Sequence, residues 1–359
     1  MKITPYKILL LVTFLFASCQ KEEITEKKEE TKDLFVRGAD MSFLPLIERE
    51  GAIFFDQNSK QAPMLDILKA NGVNTIRIRL WHSPDESISS LPEVQHFVQR
   101  VREKAFNVWI CPHYSDTWAD PGHQSSPRKW QHLSYDALKD SVQQYTARIC
   151  QLLKPDIIQL GNEINAGFLH PYAKLPEQEN HFKELLTIAS QTVRKHSPTC
   201  RIMIHLAGIN DAMWILEKLK TLDYDVIGVS YYPLWHGKDL KELETSLNHL
   251  SITFEKDILI AETAYPFTLD WNDWTHNVIG RQDQLIFPDY PATPEGQKNF
   301  LQKIRDIVST LPRGKGLAYW GGEWVAFRGR HATNGSNWEN QALFDFNNKA
   351  LPALEIFKP

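Results

Sequence analysis

The sequence predicts a closed (β/α)8 barrel, and three observations predict it. Eight short apolar runs alternate with longer stretches that repeat apolar residues at helical spacing. Most of the short runs are aliphatic and β-branched without clean polar alternation, as strands covered on both faces are. No Gly-rich dinucleotide fingerprint follows the first run, which leaves the open doubly wound sheet as the weaker alternative. The strand candidates are 35–40, 75–80, 107–111, 157–160, 201–206, 226–230, 258–261 and 316–319. Helical spacing marks 64–70, 91–104, 135–153, 179–195, 212–219, 240–250 and 294–310, with Asn71-Gly72 as the stop after the first.

The segment ahead of the barrel reads differently. Lys2 and Lys7 precede an apolar run, 8–17, too short to span a bilayer and built like a signal peptide. It ends Phe16-Ala17-Ser18-Cys19, which resembles a bacterial lipobox, with Phe16 where Leu is usual. The expected domains are therefore a signal segment 1–18, a tether 19–33 and a catalytic domain 34–359. In that reading Cys19 becomes the lipidated first residue; a plain secretory signal with an incidental Cys is the alternative. The tether, rich in Lys and Glu, cannot bury a core. The lipobox implies an exported protein lipid-anchored to the outer membrane; the Gln20-Lys21-Glu22-Glu23 start resembles a surface-export signal that would display it outward, with a generic charged linker as the alternative. The expectation is a monomer touching the membrane through that anchor alone.

Composition excludes little else. The 42% apolar and 23% charged fractions are those of an ordinary globular chain, and a net charge of -4 provides no basic footprint for nucleic acid. Cys111, Cys150 and Cys200 match no zinc spacing and make no complete disulfide framework. The 11 Trp suit either a core or a sugar cleft.

In such a barrel the active site forms where the strands end. Residues at or past the ends are Asp40, Arg77, Arg79, Trp81, His113, Tyr114, Asp116, Trp118, Asn162, Glu163, Asn165, His205, Tyr231, Tyr232, Trp235, His236, Glu262, Trp320 and Glu323. Glu163 and Glu262 end the fourth and seventh runs, on opposite sides of the mouth. Acetal hydrolysis requires one protonated and one ionised carboxyl around a single sugar. A structural ion pair with Arg77 or Arg79 is the competing use of either Glu.

Several blocks carry a family resemblance. They are Arg37-Gly38-Ala39-Asp40-Met41-Ser42, Ile76-Arg77-Ile78-Arg79-Leu80-Trp81, and His113-Tyr114-Ser115-Asp116-Thr117-Trp118-Ala119-Asp120-Pro121. Further along come Gln159-Leu160-Gly161-Asn162-Glu163-Ile164-Asn165, Ser230-Tyr231-Tyr232-Pro233-Leu234-Trp235-His236-Gly237, Ala261-Glu262-Thr263-Ala264-Tyr265-Pro266 and Trp338-Glu339-Asn340-Gln341-Ala342-Leu343-Phe344. In this order they resemble family 53 glycoside hydrolases, endo-β-1,4-galactanases acting on type I arabinogalactan. The resemblance implies a galactan substrate, Glu163 as acid/base, Glu262 as nucleophile and Asn162 on the sugar 2-hydroxyl. It implies a carboxyl separation of about 5–5.5 Å, the retaining value.

Asp40, Arg79, His113, Asp116, Trp118, Tyr231, Tyr232, Trp235 and His236 are candidate sugar contacts or braces. Trp320 is the candidate sugar platform, and Tyr231 or Tyr232 the candidate hydrogen-bond donor to Glu262. The same barrel acting on mannan or glucan, and a non-catalytic surface glycan binder, are the rival readings.

Two stretches depart from the family pattern. Tyr319-Trp320-Gly321-Gly322-Glu323-Trp324 stands where relatives have a Trp-Glu-Pro type sequence, making Glu323 a third rim carboxylate, a substrate contact or a loop brace. In the loop 270–277 some relatives bind calcium. Asp273 and Asn277 match as ligands, but Trp271 and Thr275 replace other donors, so a metal-free loop is expected, with calcium held by Asp273 and Asn277 as the alternative.

Overall fold

The structure, a computed structural model, describes residues 35–359. The signal segment, the tether and Cys19 lie outside the described residues. Eight parallel strands close a barrel. They are β1 (Val36–Asp40), β2 (Thr75–Leu80), β3 (Asn107–Pro112), β4 (Ile157–Gln159), β5 (Arg201–Ala207), β6 (Val226–Ser230), β7 (Asp257–Thr263) and β8 (Gly314–Tyr319). Around the barrel each strand neighbours the next in chain order, and β8 closes on β1 with Val36 opposite Gly316. Seven helices make the crossovers: α1 (Met64–Ala70), α2 (Leu91–Glu103), α3 (Tyr135–Leu153), α4 (Glu179–His196), α5 (Ala212–Lys218), α6 (Leu240–Phe254) and α7 (Pro294–Thr310). A 3-10 turn, Pro352–Phe357, packs against α7 where an eighth helix would lie. The expected strands and helices all form, with ends moved by a few residues.

Alternation along the strands positions the site. In β2, Ile76, Ile78 and Leu80 face the helices and join the large outer core, while Arg77 pairs with Trp109 of β3 and points inward. The barrel interior is a small apolar floor containing Val36, Trp109, Met203 and Leu259. Above it, toward the strand ends, the inward residues turn polar: Arg77, Gln159 and His205, all buried. A polar layer above an apolar plug puts the chemistry at the C-terminal mouth.

Helix starts follow local chemistry. Ser134, Asp239 and Thr293 each accept a backbone N–H in the first turn of α3, α6 and α7, satisfying donors a helix leaves orphaned.

Elements without sequence periodicity went unexpected. They are a short helix Leu44–Arg49, one turn Pro233–His236, and a small antiparallel pair, Gly167–Phe168 with Ala173–Lys174. Each is too short to show an apolar repeat. Cys111, Cys150 and Cys200 are buried free thiols. Among the described residues no helix is long and apolar enough to cross a membrane.

Candidate active site

The mouth of the barrel holds a cavity of about 530 Å³ into which both Glu163 and Glu262 open. Its floor is organised by Arg77. This buried guanidinium meets Asp40 Oδ2 at 2.5 Å and Glu262 Oε1 at 2.6 Å. It also donates to Gln159 Oε1 at 2.7 Å and to Asn162 Oδ1 at 2.9 Å. A planar fork with five N–H donors suits this many acceptors, and Lys does not replace it. Both oxygens of Glu262 are engaged, because the Tyr232 hydroxyl donates to Oε2 at 3.1 Å. The partner expected from Tyr231 or Tyr232 is therefore Tyr232.

Glu163 lies beyond β4 in the left-handed region, at φ 47° and ψ 54°. A non-glycine residue held there costs on the order of 1–3 kcal/mol and persists only where its surroundings over-determine it. Gln124 supplies that constraint: its Nε2 donates to the carbonyls of Asn162, at 2.8 Å, and Glu163, at 3.2 Å. Nothing in the sequence pointed to Gln124, which sits on a loop 38 residues upstream of Asn162.

The two carboxyls are in different electrostatic settings. Burial pushes Glu163 up, the neighbouring charge of Glu262 adds to it, and the result is about 8 despite opposition from a Ser230 hydrogen bond and Arg77. Burial raises Glu262 as well, but Arg77 and the Tyr232 hydroxyl pull it back. The two settings differ in the direction that favours the shared proton on Glu163, because Arg77 and Tyr232 support the ionised form of Glu262.

Asn162 has Oδ1 on Arg77 and donates one Nδ2 hydrogen to Ala119 O at 2.8 Å, which leaves its other N–H for a ligand oxygen. His113 and His236 line the cavity as neutral rings. Burial holds His113 well below its usual value, with Arg79 and Arg77 adding to that, and burial lowers His236 to about 4. Nδ1 of His113 accepts from Trp81 Nε1 and the Ala119 N–H, and Nδ1 of His236 from the Tyr232 N–H. In each ring the proton is therefore on Nε2.

Five of the 11 Trp line the cavity: Trp118, Trp235, Trp320, Trp324 and Trp338. Trp320 stands edge-on to Trp338 at 4.8 Å, and Trp235 is stacked with Trp338 at 6.3 Å. Flat indoles facing a polar floor suit the apolar faces of a sugar. Arg79 also lines the cavity, with its guanidinium 4.1 Å from the Trp118 ring and its Nε on Ser89.

The remaining candidates act as braces or lie outside the cavity. Asp116 does not line the cavity; it accepts the backbone N–H groups of Ser83 and Arg128 and closes the loop after β3. Tyr231 turns away, its hydroxyl donating to Gly237 O. Asp40 touches the cavity but spends its oxygens on Arg77, Ser42 N and Ser42 Oγ, which makes it a brace. Asn165 bonds both backbone groups of Ala207. Glu323 is absent from the rim and fully buried, a loop brace rather than a substrate contact.

The loop 270–277 folds Asp273 and Asn277 inward beside Glu339, which accepts the N–H groups of Asn272 and Asp273. Asp273 Oδ2, Asn277 Oδ1 and Glu339 Oε2 are buried without hydrogen-bond partners. Calcium takes six to eight oxygens, of which these side chains would supply three and backbone carbonyls and water the rest. Among the described residues no group of three or more His, Cys, Asp or Glu is arranged to hold a metal.

Comparison with known proteins follows the same lines. The model for glycosyl hydrolase family 53 matches residues 36–357. An arabinogalactan endo-beta-1,4-galactanase of Cellvibrio japonicus is 32% identical, covering 98% of this chain and 96% of its own. An endo-beta-1,4-galactanase of Bacillus subtilis is 29% identical over 94% of this chain and 89% of its own. Among solved structures, the Ignisphaera aggregans GH53 catalytic domain superposes with TM-score 0.85 at 36% identity, covering 92% of this chain and 97% of that one. A fungal beta-1,4-galactanase structure superposes at 0.79 with 32% identity, over 90% of this chain and 99% of that one. A GH113 beta-1,4-mannanase, 12% identical with TM-score 0.52, shares the barrel alone.

Proposed function

The chain belongs to glycosyl hydrolase family 53, and from that premise we propose that it is an endo-β-1,4-galactanase cleaving galactan side chains of type I arabinogalactan with retention of configuration. The observation that carries the mechanism is the division of labour at the floor. Glu262 has both oxygens held by donors, while Glu163 is kept neutral by burial beside that charge.

Glu262 attacks the anomeric carbon as the bond to the departing oxygen breaks, and Glu163 gives its proton to that oxygen. The sugar is then held as an ester of Glu262. Water enters the vacated side, Glu163 takes its proton, and the new C–O bond releases Glu262 as a carboxylate. The spare N–H of Asn162 meets the 2-hydroxyl, a contact that tightens as positive charge builds on the ring. His113 and His236 offer Nε2–H donors to other hydroxyls, and Trp320 is the sugar platform. No cofactor takes part, and the loop 270–277 closes without calcium. The enzyme works as a monomer, exported and tied to the outer membrane through Cys19, with the tether carrying it outward.

The test is digestion of potato galactan, mannan and cellulose by the purified enzyme, with and without EDTA. Galactan alone should release reducing ends, at the same rate in EDTA, and the first-formed product should be the β-anomer by NMR. Equal release from mannan would sink the substrate assignment, and an α-anomer the retaining one.

The pH profile of kcat/KM should be bell-shaped. Its alkaline limb reports loss of the Glu163 proton around pH 8, and its acid limb the protonation of Glu262. A profile flat from pH 6 to about 10 would contradict the assignment of Glu163 as the acid.

A further inference from the structure

Glu323 is a fully buried carboxyl that the mechanism above does not use. Local geometry drives it inward. Gly321 has φ 67°, and a Cβ there would stand 2.8 Å from Trp338 Cδ1; one on Gly322 would stand 2.7 Å from Leu343 Cδ1. The chain past β8 therefore runs close against both side chains, with Gly321 in the left-handed region that favours glycine, and the next residue faces the interior. There Glu323 Oε1 accepts the Phe43 N–H at 2.8 Å, across 280 residues of sequence, while Oε2 has no hydrogen-bond partner.

That single bond joins the loop after β8 to the loop after β1, and the aromatic wall hangs on the joint. Phe43 is stacked on Trp324 at 4.3 Å and tilted against Trp118 at 5.8 Å. Arg79 sits over the Phe43 ring at 4.4 Å and over Trp118 at 4.1 Å. Trp118 and Trp324 in turn flank Trp320 at 6.1 and 5.7 Å. Phe43 thus stands behind three indoles that line the cavity.

We propose that Glu323 is a positioning residue for the sugar-binding wall: as a neutral carboxyl it latches the loop after β8 to Phe43, and on ionising it lets the wall loosen. The latch rests on the geometry alone; that the wall grips galactan rests on the function proposed above. The charged groups facing Glu323 are Asp40 at the end of β1 and Arg79 on β2. Burial pushes this carboxyl to about 8, with Asp40 adding to the rise and the Phe43 N–H, its own backbone N–H and Arg79 opposing it. A buried carboxylate met only by backbone N–H groups, with one bare oxygen, is poorly solvated, so ionisation favours an arrangement in which the group leaves Phe43 for water.

The experiment uses Glu163→Gln as background, which removes the other carboxyl held near 8. Tryptophan fluorescence is titrated without ligand, and galactotetraose affinity is measured by calorimetry at pH 6.5 and 9. E163Q should show a fluorescence transition near pH 8 and about tenfold weaker binding at pH 9, where a group of that pKa is some nine-tenths ionised. E163Q/E323Q keeps a neutral acceptor for the Phe43 N–H, so it should show no transition and the same affinity at both pH values. A transition that persists in the double variant, or is missing from E163Q, overturns the latch. If galactotetraose binds neither protein while the transition disappears with E323Q, the latch stands and the galactan assignment falls.

Discussion

Replacing Glu262 by alanine is expected to lower kcat on galactan by about 10⁴-fold or more, the scale seen when a covalent nucleophile is removed, while the Kd for oligosaccharide stays within about tenfold. The fold should survive, because Arg77 keeps Asp40, Gln159 and Asn162 when Glu262 leaves. The variant also opens a gap beside the anomeric carbon that a small anion such as azide can enter. Added azide should restore turnover and yield the α-galactosyl azide, since one displacement replaces two. Steady-state kinetics, calorimetry and product NMR check the three parts. Activity of E262A within tenfold of the parent would remove Glu262 from the mechanism.

Replacing Arg77 by methionine should produce the largest loss of stability in the site. Methionine occupies similar volume but leaves the carboxylates of Asp40 and Glu262 buried without their cation, when both are nearly inaccessible. Breaking one side of a buried ion pair costs about 3–5 kcal/mol. For a domain of this size that is a fall in Tm on the order of 10 °C. The pH dependence has a definite sign. Arg77 favours the ionised form of Glu262, so without it the Glu262 carboxyl titrates higher and the acid limb of the activity profile moves to higher pH. Arg77→Lys keeps the charge but cannot span four acceptors, and should fall between parent and R77M in both Tm and acid limb. An R77M protein melting within about 2 °C of the parent would show that the floor does not depend on this hub.

Both predictions concern residues that differed in how readable they were. Glu262 was named from its place after the seventh apolar run, and so was Glu163 after the fourth. Arg77 was noted as an available ion-pair partner. Its contact with Glu262, together with its bonds to Gln159 and Asn162, appears only once the barrel closes. Gln124 left no trace in the sequence, because what it holds in place is a backbone angle at Glu163. Asp116, a candidate contact or brace, braces its own loop, and of Tyr231 and Tyr232 it is Tyr232 that reaches Glu262. A residue just past a strand end can face the mouth or the outer loops, and adjacent residues such as Tyr231 and Tyr232 face different ways.

Glu323 shows the same limit from another side. As a carboxyl after β8 it belonged with the rim by position, and two glycines turned it inward to a backbone N–H contributed by the first barrel loop.

What the sequence determined by itself is the order of eight strands and seven helices, and with it the segments that converge on one mouth. Those follow from apolar periodicity, which is local and survives in a single chain. What the tertiary structure decided is which loop residues face the cleft and what surroundings give Glu163 the acid role the resemblance implied. Those depend on burial and on charges brought together across the barrel: Asp40 and Arg77 are 37 residues apart, Tyr232 and Glu262 30, and Phe43 and Glu323 280. A carboxyl's protonation is set by how poorly it is solvated and by the charges within a few ångströms of it, and neither exists until the chain has folded.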